Sequence, residues 1–468
     1  MFPLFCCLIL LIMTTAAAQR PGRRVDLIVA GEYVVTMDPQ QPVIEDGAVA
    51  IDDGAIIAVG PADQVRASYR ADRVLPGQGK VVMPGLINGH THLAMALFRS
   101  LADDLTLEDW LFNHIFPAEA EFVNPEFVRI GVELACWEMI RGGTTTFVDM
   151  YFYPEVEARV IERCGLRGVI APSSIDFPSP GFTGWDDSFG SAVDFVEHWQ
   201  GRNPRIIPAL GVHAPYTVSP EHLAEARAEA LRLNAPISIH VAETETEVND
   251  VLNRYGNRPV NHLDSLDFFD ANVIAAHMVY PDAGEIALLA EKGVGAIHNP
   301  SSNLKLASGV SPVPQMLAAG VRVGLGTDGA ASNNDLDMWE EMNIAALLHK
   351  GVLKDPTTMP AQTVLRMATL GGAEAIGLEQ QIGALTVGRR ADLLQVRLDE
   401  PRMAPTYNII SNLVYAANSD DVDTVIVEGK LLMLRGRVLT LDIDDIRADV
   451  ARIAAQIGDP NMAMQPSR

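Results

Sequence analysis

The chain moves between two textures of apolar and polar positions. From Val25 to Val82, short β-branched runs such as "VDLIVAGEYVVTMD" and "GAVAIDDGAIIAVG" are broken by Gly, Asp-Gly and Pro. That pattern predicts a small antiparallel sheet. The same texture returns late, in "GRRADLLQVRLD" and "VDTVIVEGKLLMLRGRVL". Two such pieces around a different middle predict one β-sandwich assembled from both chain ends.

The middle changes rhythm: apolar runs recur, each followed by a polar loop and then a helical pattern. Eight runs play this part, namely "VVMPGLINGHTH", "GTTTFVDM", "LRGVIAPS", "IIPALGVHAP", "PISIHVAET", "NVIAAHMVY", "VGAIHNP" and "VRVGLGTDG". Strands alternating with helices imply a parallel sheet, and eight such units predict an α/β fold, a (β/α)8 TIM barrel. The expected boundaries are a signal peptide at 1–18, β-sandwich at 19–80, barrel at 81–378, β-sandwich again at 379–440, and a helix and tail at 441–468.

Composition narrows the function. The formal charge of −25 repels phosphate backbones and anionic membranes, so no nucleic-acid partner and no stable membrane anchor are expected. The apolar start "MFPLFCCLILLIMTTAAA" is too short to span a bilayer and ends in an A-x-A cleavage pattern. It predicts export to the periplasm or secretion, whereas initiation at Met13 would leave a cytoplasmic chain. Cys136 and Cys164 sit in helix-like segments and read as buried thiols rather than a disulfide framework.

In a barrel of this kind the chemistry lies at the C-terminal ends of the strands. His90 and His92 end the first run, one residue apart. In a strand that spacing points two imidazoles the same way. The fourth run supplies His213, the fifth His240 and Glu243, the sixth His277, the seventh His298 and the eighth Asp328. Three imidazoles and one carboxylate suit one divalent ion, Zn²⁺ first, with Fe²⁺ compatible with the same donors. Glu243 stands three residues after His240, which places it in the loop beyond the strand, where it can move a proton. His277 would hold a water and stabilise developing charge, and Asp328 would bind the metal and accept a proton. His213 reads equally as ligand, substrate contact or core, and His298 as cavity lining or support. His114, His198, His222 and His349 fall on or beside helix-like segments, where a solvated histidine is the default.

Together "PGLINGHTHLAM", "GVHAPYTVS", "HVAETETEV", "AAHMVY", "HNPSSNLKLASGVSPVPQM" and "GLGTDGAASNNDLDMWEEM" resemble the amidohydrolase superfamily. The closest resemblance is to its branch of 5-methylthioadenosine/S-adenosylhomocysteine deaminases and the related triazine chlorohydrolases. The resemblance implies His90, His92, His240 and Asp328 as metal ligands, Glu243 as proton shuttle and His277 beside the attacking water. It implies Glu119, His213 and Glu243 as substrate contacts, with Glu119 on the ribose hydroxyls and Glu243 on the purine ring, and a homo-oligomer. Two-metal barrels of this type carry a lysine at the end of strand four, and "RIIPALGVHAP" has none, so one metal is expected.

One departure stands out. The branch places a substrate arginine in the segment after strand three, but "APSSIDFPSPGFTGWDDSFG" has no Lys or Arg. A carboxylate is best held by a bidentate guanidinium. The expected substrate is therefore a neutral or aromatic one, such as adenosine or methylthioadenosine, rather than S-adenosylhomocysteine. The rival readings are amide hydrolysis, dechlorination of a triazine, and a non-catalytic barrel, which would show broken ligands.

Overall fold

The computed structural model describes residues 22–458. The expected signal peptide and the last ten residues of the tail lie outside the described residues.

The N-terminal strands are β1 (Arg23–Val35), β2 (Val43–Asp52), β3 (Ala55–Pro61), β4 (Tyr69–Leu75) and β5 (Lys80–Pro84). The middle contributes β6 (Leu86–Thr91), β7 (Thr144–Asp149), β8 (Arg167–Ile170), β9 (Ser173–Ser174), β10 (Ile206–Pro208) and β11 (Leu210–Val212). It continues with β12 (Ile237–Val241), β13 (Val273–His277), β14 (Gly295–His298) and β15 (Arg322–Leu325). Near the C-terminus follow β16 (Leu393–Arg397), β17 (Val422–Val427), β18 (Lys430–Leu434) and β19 (Arg437–Val438).

The two ends of the chain do combine. One nine-stranded sheet runs β19-β18-β17-β16-β5-β1-β2-β3, with β4 beside β1. It is not purely antiparallel, because β1 pairs parallel with both β4 and β5. The helix Ala62–Ser68 between β3 and β4 supplies the crossover that a parallel pairing needs.

The middle strands form two parallel sheets, β10-β8-β7-β6 and β15-β14-β13-β12-β11-β9. Their residues are buried almost throughout, as in β12, where all five positions are inaccessible. Strands covered on both faces read as continuous apolar runs, and these do. The loops ending β6 and β15 meet: Asp328 N donates to His90 O at 3.0 Å, and Thr91 Oγ1 to Asp328 O at 3.1 Å.

Three runs expected as single strands are divided. "VVMPGLINGHTH" breaks at Gly85, so β5 pairs with β16 in the end sheet while β6 pairs with β7. The boundary expected at residue 81 thus falls inside β5. A Cβ on Gly85 would lie 2.0 Å from Thr145 Oγ1, so only glycine lets the chain pass between the sheets here. The third and fourth runs split similarly, into β8 with β9 and β10 with β11.

Helices between the strands carry their own start and stop signals. In Pro125–Gly142, Asn124 Oδ1 accepts from Glu126 N and Phe127 N, Pro125 opens the helix, and Gly143 closes it at φ 86°. The helix Ile443–Ile457 lies against it. Cys136 and Cys164 are buried and free, with Sγ atoms 3.3 Å apart.

Candidate active site

The histidines that end the parallel strands converge. The His90 ring centroid lies 4.9 Å from that of His92, 4.8 Å from His240 and 5.4 Å from His277. Asp328 Oδ1 is 3.2 Å from His92 Nε2 and 3.5 Å from His90 Nε2. Two triads, His90/His240/His277 and His90/His92/Asp328, have donor atoms within 4.8 Å of one another.

The hydrogen bonds show which atoms are free to bind. His92 Nδ1 donates to Met150 O and His240 Nδ1 to His213 O, each at 2.6 Å. Each ring therefore turns its Nε2 inward, and these two atoms are 3.3 Å apart. Two imidazole nitrogens at that distance share either a proton or a cation. Both ring nitrogens of His90 are buried with no hydrogen-bond partner in the protein. The donor set therefore fits a divalent metal ion.

Electrostatics separates the groups. Burial drives His90 down to about 4 and His213 down to about 3, and it also lowers His240 and His277. Burial acts on His92 too, but the Asp328 carboxylate outweighs it and leaves His92 raised to about 9. Burial likewise opposes ionisation of Asp328, yet the His90 and His92 imidazoles beside it hold it well below the usual carboxylate range. Glu243 goes the other way: burial, helped by the Asp328 charge, lifts it well above that range. Its Oε2 is 3.6 Å from His277 Nε2.

Backbone conformation aims these side chains. Ala242, His277, Met278 and Asp328 all have positive φ, at 53°, 74°, 45° and 63°. Non-glycine residues rarely accept this, and here it occurs where the strands release their catalytic candidates. Glu243 lies beyond the end of β12, as its spacing from His240 implied. The turn is held by Glu247, whose carboxylate accepts from Ala242 N at 2.9 Å and Glu243 N at 2.7 Å.

Several supporting residues carried no signal in the sequence. Ser302 Oγ and Ser332 Oγ donate to Asp328 Oδ2 at 2.7 Å and 2.9 Å, leaving Oδ1 toward the histidines. Asn303 Oδ1 accepts from His277 Nδ1 at 2.9 Å. Asp149 Oδ1 accepts from Leu93 N at 2.6 Å, beside His92. The motifs containing these residues are visible in the sequence, but serines and asparagines in loops look alike until their partners are known.

A cavity of about 480 Å³ opens over the cluster. His92, Glu119, His213, His240, Glu243, His277 and Asp328 all reach it, whereas His90 does not. His213 lies at the wall, its ring 5.1 Å from that of His240. His298 is buried outside the cavity, against the His349 ring at 5.3 Å. That corrects the expectation of a solvated His349, which is 2% exposed because its helix turns it toward β14. His222 is also more than a solvated side chain: it stacks on Trp185 at 4.6 Å and pairs with Asp176 Oδ1 at 2.8 Å. These contacts tie down the segment after β9, whose Phe177 faces the cavity.

Residues 81–432 match the Amidohydrolase family. The chain belongs to the amidohydrolase family. It is accordingly a hydrolase with an amidohydrolase-type mixed α/β fold. A shorter match, over residues 47–71, is to the imidazolonepropionase-like composite domain of bacteria. A 5-methylthioadenosine/S-adenosylhomocysteine deaminase of Syntrophobacter fumaroxidans is 48% identical, covering 93% of this chain and 99% of that protein. A 5'-deoxyadenosine deaminase of Methanosarcina mazei is 45% identical, over 92% of this chain and 98% of its own length. Among solved structures, an adenosine deaminase from Xanthomonas campestris with bound zinc superposes with a TM-score of 0.91 at 40% identity, covering 93% and 99% of the two chains. Atrazine chlorohydrolase from Arthrobacter aurescens, complexed with zinc, gives 0.84 at 27% identity over 91% and 99%.

Proposed function

We propose that this amidohydrolase is a metal-dependent deaminase of adenosine-type nucleosides, with the two parallel sheets forming arcs of one (β/α)8 barrel. The observation that carries the reading is the convergence of inward-facing imidazole nitrogens and Asp328 Oδ1 beneath a cavity walled by Glu243. His90, His92, His240 and Asp328 would hold one divalent ion, Zn²⁺ in preference to Fe²⁺. Such an ion supplies the Lewis acidity that lets water attack near neutral pH.

The chain's own residues do the rest. Glu243, kept protonated by burial, donates to the ring nitrogen as water adds to the carbon bearing the amine. His277, oriented by Asn303, accepts from the attacking water at Nε2 and holds it in position. Asp328 accepts one proton from the water and delivers it to the amine; as the C–N bond breaks and ammonia leaves, the remaining hydroxyl proton passes to Glu243, restoring its protonated form while the carbonyl forms. Glu119 and His213 hold the substrate.

The cavity also supports a choice within the class. Among the described residues no lysine or arginine lines it, while Trp110, Leu111, Phe116, Val123 and Phe177 do. A substituent carrying a carboxylate would be desolvated there without a cation to meet it. Adenosine, 5'-deoxyadenosine and methylthioadenosine are therefore the favoured substrates, and S-adenosylhomocysteine a poor one. A homo-oligomer completes the proposal, in a chain that is exported if translation starts at Met1 and cytoplasmic if it starts at Met13. Exposed Leu347, Val352 and Leu353 on the helix Met338–Leu353 offer apolar surface for a second copy.

Ammonia release from a panel of aminated heterocycles, by metal-replete protein, is the test. Deamination of the neutral nucleosides with at least tenfold lower kcat/KM on S-adenosylhomocysteine is expected. Ammonia from none of them would end the deaminase reading, and equal rates on all would end the selectivity.

A further inference from the structure

Among the described residues, four that line the cavity carry a buried polar atom without a partner in the protein: Trp110 Nε1, Glu119 Oε1, Tyr151 Oη and Ser179 Oγ. Glu119 and Tyr151 are each 3% exposed. A buried hydroxyl or carboxyl oxygen left unpaired costs on the order of 1–3 kcal/mol, and native structures rarely carry one without a use.

The surroundings hold the phenol in place and leave only its hydroxyl uncommitted. Tyr151 follows β7 by two residues, and its carbonyl accepts from Ser173 N at 2.9 Å. Its ring centroid lies 5.0 Å from that of Phe152 and 6.5 Å from that of His92. Glu119 comes from the opposite direction in sequence, on the short helix Phe116–Phe122. The two are near enough to interact without meeting hydrogen-bond geometry: burial raises Glu119 to about 7, and the neighbouring Tyr151 hydroxyl is the largest influence opposing it.

We propose that Tyr151 is a specificity-determining residue, its hydroxyl joining the Glu119 carboxylate in a clamp for a vicinal diol. The inference rests on the nucleoside deaminase reading. A carboxylate accepts two hydrogen bonds side by side, and a phenol can donate one. Two adjacent hydroxyls bring two donors and several lone pairs. The carboxylate takes both hydroxyl protons, and the phenol donates to one hydroxyl oxygen. A ligand with a single hydroxyl leaves one of the two buried groups unsatisfied. The clamp thus selects ribose over deoxyribose, at a wall separate from the groups that handle protons.

The test compares wild type with Tyr151→Phe on adenosine, 2'-deoxyadenosine and 3'-deoxyadenosine, with metal content measured for both proteins. The substitution is expected to lower kcat/KM on adenosine about tenfold, through KM. On at least one deoxy analogue the two proteins should perform alike, because the hydroxyl that the phenol would meet is gone. A uniform loss on all three substrates, or no loss on adenosine, overturns the clamp. Those outcomes require an active wild type; a wild type that deaminates none of the three overturns the deaminase reading and the clamp with it.

Discussion

Two regions of this amidohydrolase bury charge, and they treat it in opposite ways. At the seam between the parallel sheets and the nine-stranded sheet, Arg167 and Asp392 are each about 1% exposed on their side chains. Arg167 Nε donates to Asp392 Oδ2 at 2.9 Å and its Nη1 to Pro204 O at 2.8 Å, while Asp392 Oδ1 accepts from Glu428 N at 2.8 Å. The Arg167–Asp392 pair meets its partners inside the protein. At the strand ends, His90 and Glu119 keep unpartnered atoms, and the backbone takes positive φ at Ala242, His277, Met278 and Asp328. Burying charge serves cohesion where a cation and an anion meet each other, and chemistry where valences are left for a ligand.

The sharpest way to break this contrast is Glu243→Gln. The variant should retain its metal, measured by elemental analysis, while kcat falls by about 10²–10⁴. Unchanged kcat would remove Glu243 from proton transfer. Next in size is Arg167→Ala, which leaves Asp392 buried and uncompensated. Chemical denaturation should register a loss of about 3–5 kcal/mol. The kcat of the folded fraction should stay near wild type, and a matching collapse of kcat would mean that seam and site are not separable. Smallest are Ser302→Ala and Ser332→Ala, which release Asp328 Oδ2. Each should weaken metal affinity by about 10–100-fold in a competition titration with a chelator. Unaltered affinity in both would show that the serines do not orient the carboxylate.

The site was legible wherever a motif combined an unusual residue type with strand periodicity. His90 and His92, one residue apart after an apolar run, are such a case. His240 with Glu243 three positions on is another, because a strand cannot place both on one face. The supporting residues were not legible. Ser302, Ser332, Asn303 and Glu247 act through one or two hydrogen bonds each, across 4–26 positions of sequence, and polar loop residues carry no mark of their partner. Ser302 meets Asp328 across 26 positions, and Glu247 reaches back only 4 to Glu243. His349 misled for the same reason: helical position predicts a face, but which face is covered depends on the neighbouring strand. The break at Gly85 also escaped notice, since an apolar run reads identically whether it serves one sheet or two.

By itself the amino-acid order determined the alternation of strands and helices, the β-texture of both ends, and the inventory of candidate metal-binding side chains. Periodicity and side-chain chemistry are local properties, so they survive without coordinates. Only the tertiary structure decided which ring nitrogens face one another, which carboxyl is desolvated and which hydroxyl lacks a partner. Those properties depend on distance and desolvation, and both are created when segments remote in the chain are packed together.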